Sequence, residues 1–277
     1  MFLSTDEGAL RSFLARILGW STERAAAVEH ALRSIEFAVA HRLALMLLGE
    51  TDLVPIAHAL HRRMFGAERP FIVCNPRMGN MPASSRSPAN YESAVEAIGA
   101  AAGGSLCVHR RRLPRDFPAA VALIRVPDTR VQLVICGGRH DKYEAFLEAL
   151  APILVPSLAQ RAAELPRIVE EYAADAAVAL SSNAPFSLND RDWICRCCAS
   201  SLHEIETATL RMVALHKAGN VAGAARLLGM SHASLGEWLQ RRRARRDSAP
   251  RRRASKPSPP RPRPNATRGR SSRRPSR

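Results

Sequence analysis

No apolar stretch in this 277-residue chain is long enough to cross a bilayer. The longest, Phe37 to Gly49, is interrupted by His41 and Arg42 and falls well short of the ~20 residues a membrane helix needs. Asp6, Glu7 and Arg11 break up the N-terminus, so no secretory leader is expected. The expectation is a cytoplasmic, nucleoid-associated protein with no membrane partner. Cysteine is sparse. Cys74, Cys107 and Cys136 sit inside apolar runs, where a thiol behaves as a small hydrophobe. Cys195 and Cys198 form a C-x-x-C, but no second pair follows and His203 alone does not complete a set of four ligands. Reduced thiols of a cytosolic protein are expected, with no metal.

Catalytic constellations are missing too. Gly104–Ser105 lies in no G-x-S-x-G elbow. His58 and His61 are three apart beside Arg62 and Arg63, which reads as a solvated helix face, and His140–Asp141 is a pair of loop neighbours. The chain is expected not to be an enzyme and to carry no cofactor.

Charge is present, and unevenly placed. The formal net charge is +16. From Arg241 to Arg277 there are 15 Arg, 1 Lys and 1 Asp, leaving a body of 240 residues with 25 basic and 24 acidic side chains. A nearly neutral body with a strongly basic end is an electrostatic handle for a polyanion. A merely solubilising tail would be served as well by acids.

Hydrophobic periodicity divides the chain. Leu10, Phe13, Leu14 and Ile17, then Ala31, Ile35 and Ala38, recur at helical spacing, with Ser21 as a helix start. Short apolar runs follow at Leu43–Leu48, Phe71–Cys74, Ser105–Val108, Val131–Cys136 and Ala151–Val155. Between them lie helical stretches at Val54–Met64, Tyr91–Ala101, Phe117–Ile124 and Lys142–Leu150. Alternation of helices with strands apolar on both faces predicts an α/β fold, a parallel sheet with helices on both faces. Arg77–Asn90 reads as a polar loop, and 158–205 as all helical. Beyond Asp247 apolar residues vanish and Pro, Ser and Arg rise, so 244–277 is expected to be a disordered basic tail.

The most specific signal is near the end. Asn220 is a helix N-cap, Gly229 closes the short helix Val221–Leu228, and Ser231 caps a second helix from His232 to about Arg243. Ala224 and Ala225 are small where two helices must cross. Leu227, Leu228, Leu235, Trp238 and Leu239 make a small core. This is a helix-turn-helix, in which the start of the second helix meets base edges in the major groove of double-stranded DNA. The expected DNA-binding residues are Ser231, His232, Ala233, Ser234, Glu237, Gln240, Arg241, Arg242 and Arg243. His232 and Ser234 can hydrogen-bond bases and Ala233 can touch a thymine methyl. The three arginines would meet phosphates.

His203 to Gln240, HEIETATLRMVALHKAGNVAGAARLLGMSHASLGEWLQ, resembles the Fis-type DNA-binding domain that ends the sigma-54-dependent activators, or bacterial enhancer-binding proteins. That resemblance implies a homodimer through Ile205–Lys217, and RNA polymerase or another regulator as a further partner. LALMLLGET (43–51), IAHALHRR (56–63), PFIVCN (70–75), GGSLCV (103–108), RVQLVICGGR (130–139) and ILVPSLAQRAAELPRIVEEY (153–172) are similar, in order, to pieces of that family's AAA+ domain. The resemblance implies an N-terminal helical segment (1–42), an AAA+-like α/β domain (43–157), a helical lid-like region (158–203), the helix-turn-helix domain (204–243) and the tail (244–277).

The departures are as informative. A phosphate loop needs glycines, then Lys and Ser/Thr. Here Gly49–Glu50–Thr51–Asp52–Leu53–Val54–Pro55 is about two residues short and has no Gly-Lys. Asp52 would repel phosphate and Pro55 offers no N–H. His109 and Arg110 stand where the family has metal-holding acids, and Gly137 and Gly138 where it has a polar sensor. Tyr143 and Ala149 fall near the arginine-finger places, and His203 near that of the lid arginine. The short span Pro76–Ala102 lacks the sigma-gripping loop. The expectation is a sequence-specific DNA-binding transcriptional regulator whose body has lost ATPase and sigma-54 contact motifs. Two alternatives stand beside it: an ATP-binding activator with an atypical phosphate loop, and a non-specific nucleic-acid binder acting through the tail.

Overall fold

The computed structural model of the chain describes residues 7–84, 87–126, 128–139 and 151–247, with side chains described up to Ala244. Two helices open it, α1 (Glu7–Leu18) and α2 (Thr22–His41). The alternating region follows as β1 (Leu45–Gly49), α3 (Val54–Phe65), β2 (Phe71–Cys74), β3 (Ala89–Tyr91), α4 (Ala94–Ala100), β4 (Ser105–His109), α5 (Phe117–Ile124), β5 (Gln132–Gly138) and β6 (Ile153–Leu154). The chain then continues in α6 (Leu165–Ala179), α7 (Leu188–Cys197), α8 (Leu202–Ala218), α9 (Val221–Leu227) and α10 (His232–Asp247).

The strands form one six-stranded sheet in the order β3-β2-β4-β5-β1-β6, and every pairing is parallel. Successive side chains of a strand point to opposite faces, and here both faces are apolar. Phe71, Cys107, Val134 and Cys136 join a core with Leu14, Ile17, Ile35 and Leu60 from α1, α2 and α3. Ile72, Leu106, Val108, Leu133 and Ile135 join a second core with Ala97 and Ile98 of α4 and Phe117 and Ala120 of α5. This is the expected α/β architecture, a parallel sheet with helices on both faces, followed by helices.

Some elements differ from expectation. Arg77–Asn90 is not all loop. Its end enters β3, an edge strand too short and polar to show as an apolar run, and Asn90 anchors it. The Asn90 amide donates to the Asn75 carbonyl at 3.1 Å and accepts from the Asn75 N–H at 3.0 Å. The stretch 158–205 is broken, because 180–187 is not helical; Ser181 takes a left-handed φ of 46° and Pro185 cannot continue a helix. Residues 244–247 belong to α10 rather than to the tail. The helix Lys142–Leu150, with Tyr143 and Ala149, and the pair His140–Asp141 lie outside the described residues, as does 248–277.

His61 is also unlike the expected solvated face. It is 2% exposed. Its Nε2 donates to the Arg69 carbonyl at 3.0 Å, which can only accept, so Nδ1 accepts from the Ser105 hydroxyl at 2.7 Å. Burial pushes the imidazole down to about 4. His58 stacks on Phe71, with ring centroids 4.7 Å apart. The spacing of three puts both rings on the sheet side of α3.

The opening helices share the core of the sheet. Leu10, Phe13, Leu14 and Ile17 of α1 are buried in the same cluster as Leu45 of β1 and Ile168 of α6. Arg16 is buried and donates to Asp175 and Glu171 of α6 at 2.5 and 3.2 Å. Arg161 donates to the Ile17 carbonyl at 2.9 Å. Residues 7–41 therefore pack as a layer of the body.

Candidate nucleic-acid interface

The last two helices are built by caps. Gly219 ends α8 in the left-handed region, at φ 68°. The Asn220 side chain then accepts from the Gly223 N–H at 2.7 Å and starts α9. Gly229, at φ 57°, closes α9 with two backbone bonds: its own N–H to the Arg226 carbonyl at 3.1 Å and the Met230 N–H to the Ala225 carbonyl at 2.9 Å. That pair of bonds is a Schellman turn, and it leans on a residue free to take positive φ. The Ser231 hydroxyl accepts from the Ser234 N–H at 3.1 Å and starts α10. Two capped helices joined by a tight glycine turn are thus present at the predicted residues.

Ala224 and Ala225 are buried and let α9 approach α8 and α10 closely. Leu235, 0% exposed, seals them together with Ala214 of α8. Leu228 and Trp238 pack at the edge of this cluster, and Leu239 is half-buried. Leu227 is not in it; at 43% exposed it faces outward, because the glycine turn brings Leu228 and Met230 inward in its place.

The exposed surface of α10 and its capping residue carries Ser231, His232, Ala233, Ser234, Glu237, Gln240, Arg241 and Arg243. Eight of the nine residues expected to contact DNA therefore share a solvent-facing surface that begins at the helix N-terminus. Arg242 departs from the other two arginines. It lies seven residues after Leu235 and four after Trp238, on the inner stripe of the helix. Its guanidinium meets the buried Asp190 carboxylate of α7. It also lies 5.2 Å from the Trp193 ring. A run of three arginines gave no sign of this, since its partner is 52 residues away.

The apolar stripe of α8 is also spent within the chain. Ile205, Ala208, Thr209, Met212 and Val213 are all buried, packed with α6, α7 and α9. The helix expected to pair two copies thus serves first as the central support of the motif.

At the carboxyl ends of the strands, β1 leads to β2 across β5 and β4, whereas β6 lies on the other side of β1. Such a switch point is where open α/β sheets hold ligands. Here the crevice is small. The space lined by Gly49, Thr51, Leu53, His109, Gly137 and Gly138 is about 120 Å³, below the roughly 300–1,000 Å³ of ordinary small-molecule sites. Leu53 is buried, and its Cδ2 would lie 3.1 Å from a Cβ added at Gly49. The Asp52 carboxylate accepts from the Val54 N–H at 3.1 Å, so the start of α3 is occupied by the chain's own anion. A larger cleft of about 590 Å³ adjoins it, lined by Glu50, Asp52, Asn75, Met78, Met81, His109 and Arg112 among others.

Among the described residues no three His, Cys, Asp or Glu side chains are grouped to hold a metal ion. Cys195 and Cys197 are half-buried and Cys198 is buried. His203 is exposed on α8 beside Glu206, whose hydrogen bond raises the imidazole above its ordinary value. No described helix is long and apolar enough to cross a membrane.

No protein-family model matches the chain, and no curated protein matches it. Among solved structures it is similar to NtrX from Brucella abortus in complex with ADP, at 14% identity and a TM-score of 0.44, over 84% of this chain and 72% of that one.

Proposed function

We propose that the protein is a sequence-reading, DNA-binding transcriptional regulator, with α10 as the reading helix and an AAA+-like body that neither binds nor hydrolyses ATP. The observation that carries this reading is the exposed surface Ser231–Ser234 at the capped start of α10, beside the tight Gly229 turn from α9. Hydroxyl, imidazole and methyl groups stand there together, the set that reads base edges. Glu237, further along the same surface, is an acceptor suited to a cytosine amino group and repels misplaced phosphate. Arg241 and Arg243 supply phosphate contacts. The basic residues after Asp247 add affinity that carries no sequence information.

Loss of ATP chemistry in this proposal is supported by the Asp52 carboxylate on the Val54 N–H, the buried Leu53 and the tight crevice at Gly49. Among the described residues no lysine lines that crevice or the cleft beside it, where phosphoryl transfer would need one on the phosphates. Pairing of two copies on a palindromic site is part of the proposal. With the apolar stripe of α8 occupied, its exposed residues are His203, Glu206, His216 and Lys217.

The test is selection from a pool of random duplex DNA by the full chain at raised salt, in parallel with Ser234→Glu. An enriched sequence that Ser234→Glu fails to retain supports the reading, and a palindrome adds the dimer. Deleting 248–277 should keep the enriched sequence and flatten the dependence of affinity on salt. Equal retention by wild type and Ser234→Glu, with binding lost on the deletion, leaves only a non-specific binder.

A further inference from the structure

Three helices meet at one buried carboxylate. Asp190 is 4% exposed. It sits in the first turn of α7, where its N–H donates to the Ser187 hydroxyl at 3.1 Å and its Oδ2 accepts from that hydroxyl at 2.7 Å. The same Oδ2 lies 3.1 Å from Nε2 of His216, near the end of α8. Oδ1 accepts from Arg242 of α10. The other terminal nitrogen of Arg242 lies 3.0 Å from the Met212 sulfur of α8. Rings complete the joint: Trp193 of α7 and Trp238 of α10 meet edge to face, with centroids 5.7 Å apart. The Arg211 guanidinium of α8 lies 5.3 Å from the Trp238 ring.

A carboxylate this buried holds its arginine tightly, because removing either partner strands a charge away from water. A contact to phosphate, by contrast, asks for a side chain that reaches into solvent. Arg241 and Arg243 do so, and Arg242 does not. The tryptophan pair and the ion pair lie one helical turn apart along α10, so together they fix both its rotation and its tilt on α7 and α8.

We propose that Asp190 and Arg242 are positioning residues for DNA reading: the buried pair sets the angle at which α10 presents Ser231–Ser234 to the major groove, and ties that angle to the body through α7. This rests on the DNA-binding reading above. The helix-turn-helix then works as a rigid extension of the body instead of a module on a free linker. Whatever shifts α7 shifts the reading surface with it.

The experiment uses the full chain and its variants Arg242→Gln, Arg242→Lys, Asp190→Asn, the double variant Asp190→Asn/Arg242→Gln, and Arg241→Gln. Affinity is measured over a range of salt for the selected duplex and for a scrambled one. Arg241→Gln should weaken both duplexes alike and reduce the salt slope by about 0.9, as loss of one phosphate contact does. Arg242→Gln and Asp190→Asn should each weaken the selected duplex by about tenfold or more, leaving the scrambled duplex and the salt slope unchanged. The double variant should be no worse than either single one. Arg242→Lys, which keeps a cation for Asp190, should recover part of the loss.

Hydrogen exchange on the DNA-free protein is the second readout. Amides of α10 should exchange faster in Asp190→Asn and Arg242→Gln, while those of β1 keep their protection and show that the body is folded. If Arg242→Gln lowers the slope by about 0.9 and weakens both duplexes alike, Arg242 is a phosphate contact and the proposal is overturned. Unchanged exchange in α10 also overturns it, whatever the DNA data show. If α10 loosens as expected but the wild type prefers no sequence, the joint is real, the DNA-reading function has failed, and the proposal falls with it.

Discussion

Acidification should weaken the body through His61. The imidazole is buried on α3 between the Arg69 carbonyl and the Ser105 hydroxyl, with the Phe71 ring 5.3 Å away. Burial lowers it from 6.5 to about 4 in the folded chain. The unfolded chain binds the proton first as pH falls, so His61 contributes full stability above about 6.5 and loses it as pH drops toward 4. At 1.36 kcal/mol per unit, the whole window is worth about 3 kcal/mol, most of it lost between about pH 7 and pH 4.5. Urea unfolding of wild type and His61→Gln across that range isolates the effect, because the other titrating groups are common to both. Wild type should be the more stable at neutral pH, and its advantage over His61→Gln should shrink by roughly 2 kcal/mol on acidification to about pH 4.5. A difference that stays constant within a few tenths of a kcal/mol would refute the reasoning.

Two further outcomes follow from local geometry. A Cβ at Gly104 would lie 1.9 Å from the Pro70 carbonyl oxygen. Backbone would have to move where β2 pairs with β4, so Gly104→Ala should cost about 1–3 kcal/mol or more in unfolding free energy; an unchanged urea midpoint would contradict this. Saturation with magnesium and ATP should not raise the melting temperature, whereas a ligand at about 100 times its Kd would stabilise by about 2.7 kcal/mol. A reproducible rise would restore nucleotide binding and sink that part of the proposed function.

Much of the fold was legible because it is written in local patterns. The runs at 71–74 and 105–108 became β2 and β4, and 117–124 became α5, since short apolar segments between turn residues have few other ways to bury both faces. The caps at Asn220, Gly229 and Ser231 were legible for a similar reason: each makes bonds within a few residues of itself. β3 was not, because three residues of mixed polarity take their strand form from Ile72, Val73 and Cys74 alongside.

The candidate interface divides in the same way. Ser231, His232, Ala233 and Ser234 could be placed on an outer face from helical spacing alone. Arg242 could not, because its direction depends on Asp190 and Trp193, which are remote in sequence. His61 went the same way: a polar residue beside two arginines reads as solvated until Ser105 and Arg69 are seen to satisfy both of its nitrogens.

The sequence by itself determined the parallel α/β body, the two capped helices joined by a glycine turn and the concentration of charge at one end, since periodicity, capping and composition act over short separations. Only the tertiary structure decided which arginine faces solvent, which histidine is sealed in the core, and how the opening helices lie on the sheet. Those outcomes depend on partners brought together by chain crossings, where burial makes an unpaired polar group too costly to leave alone.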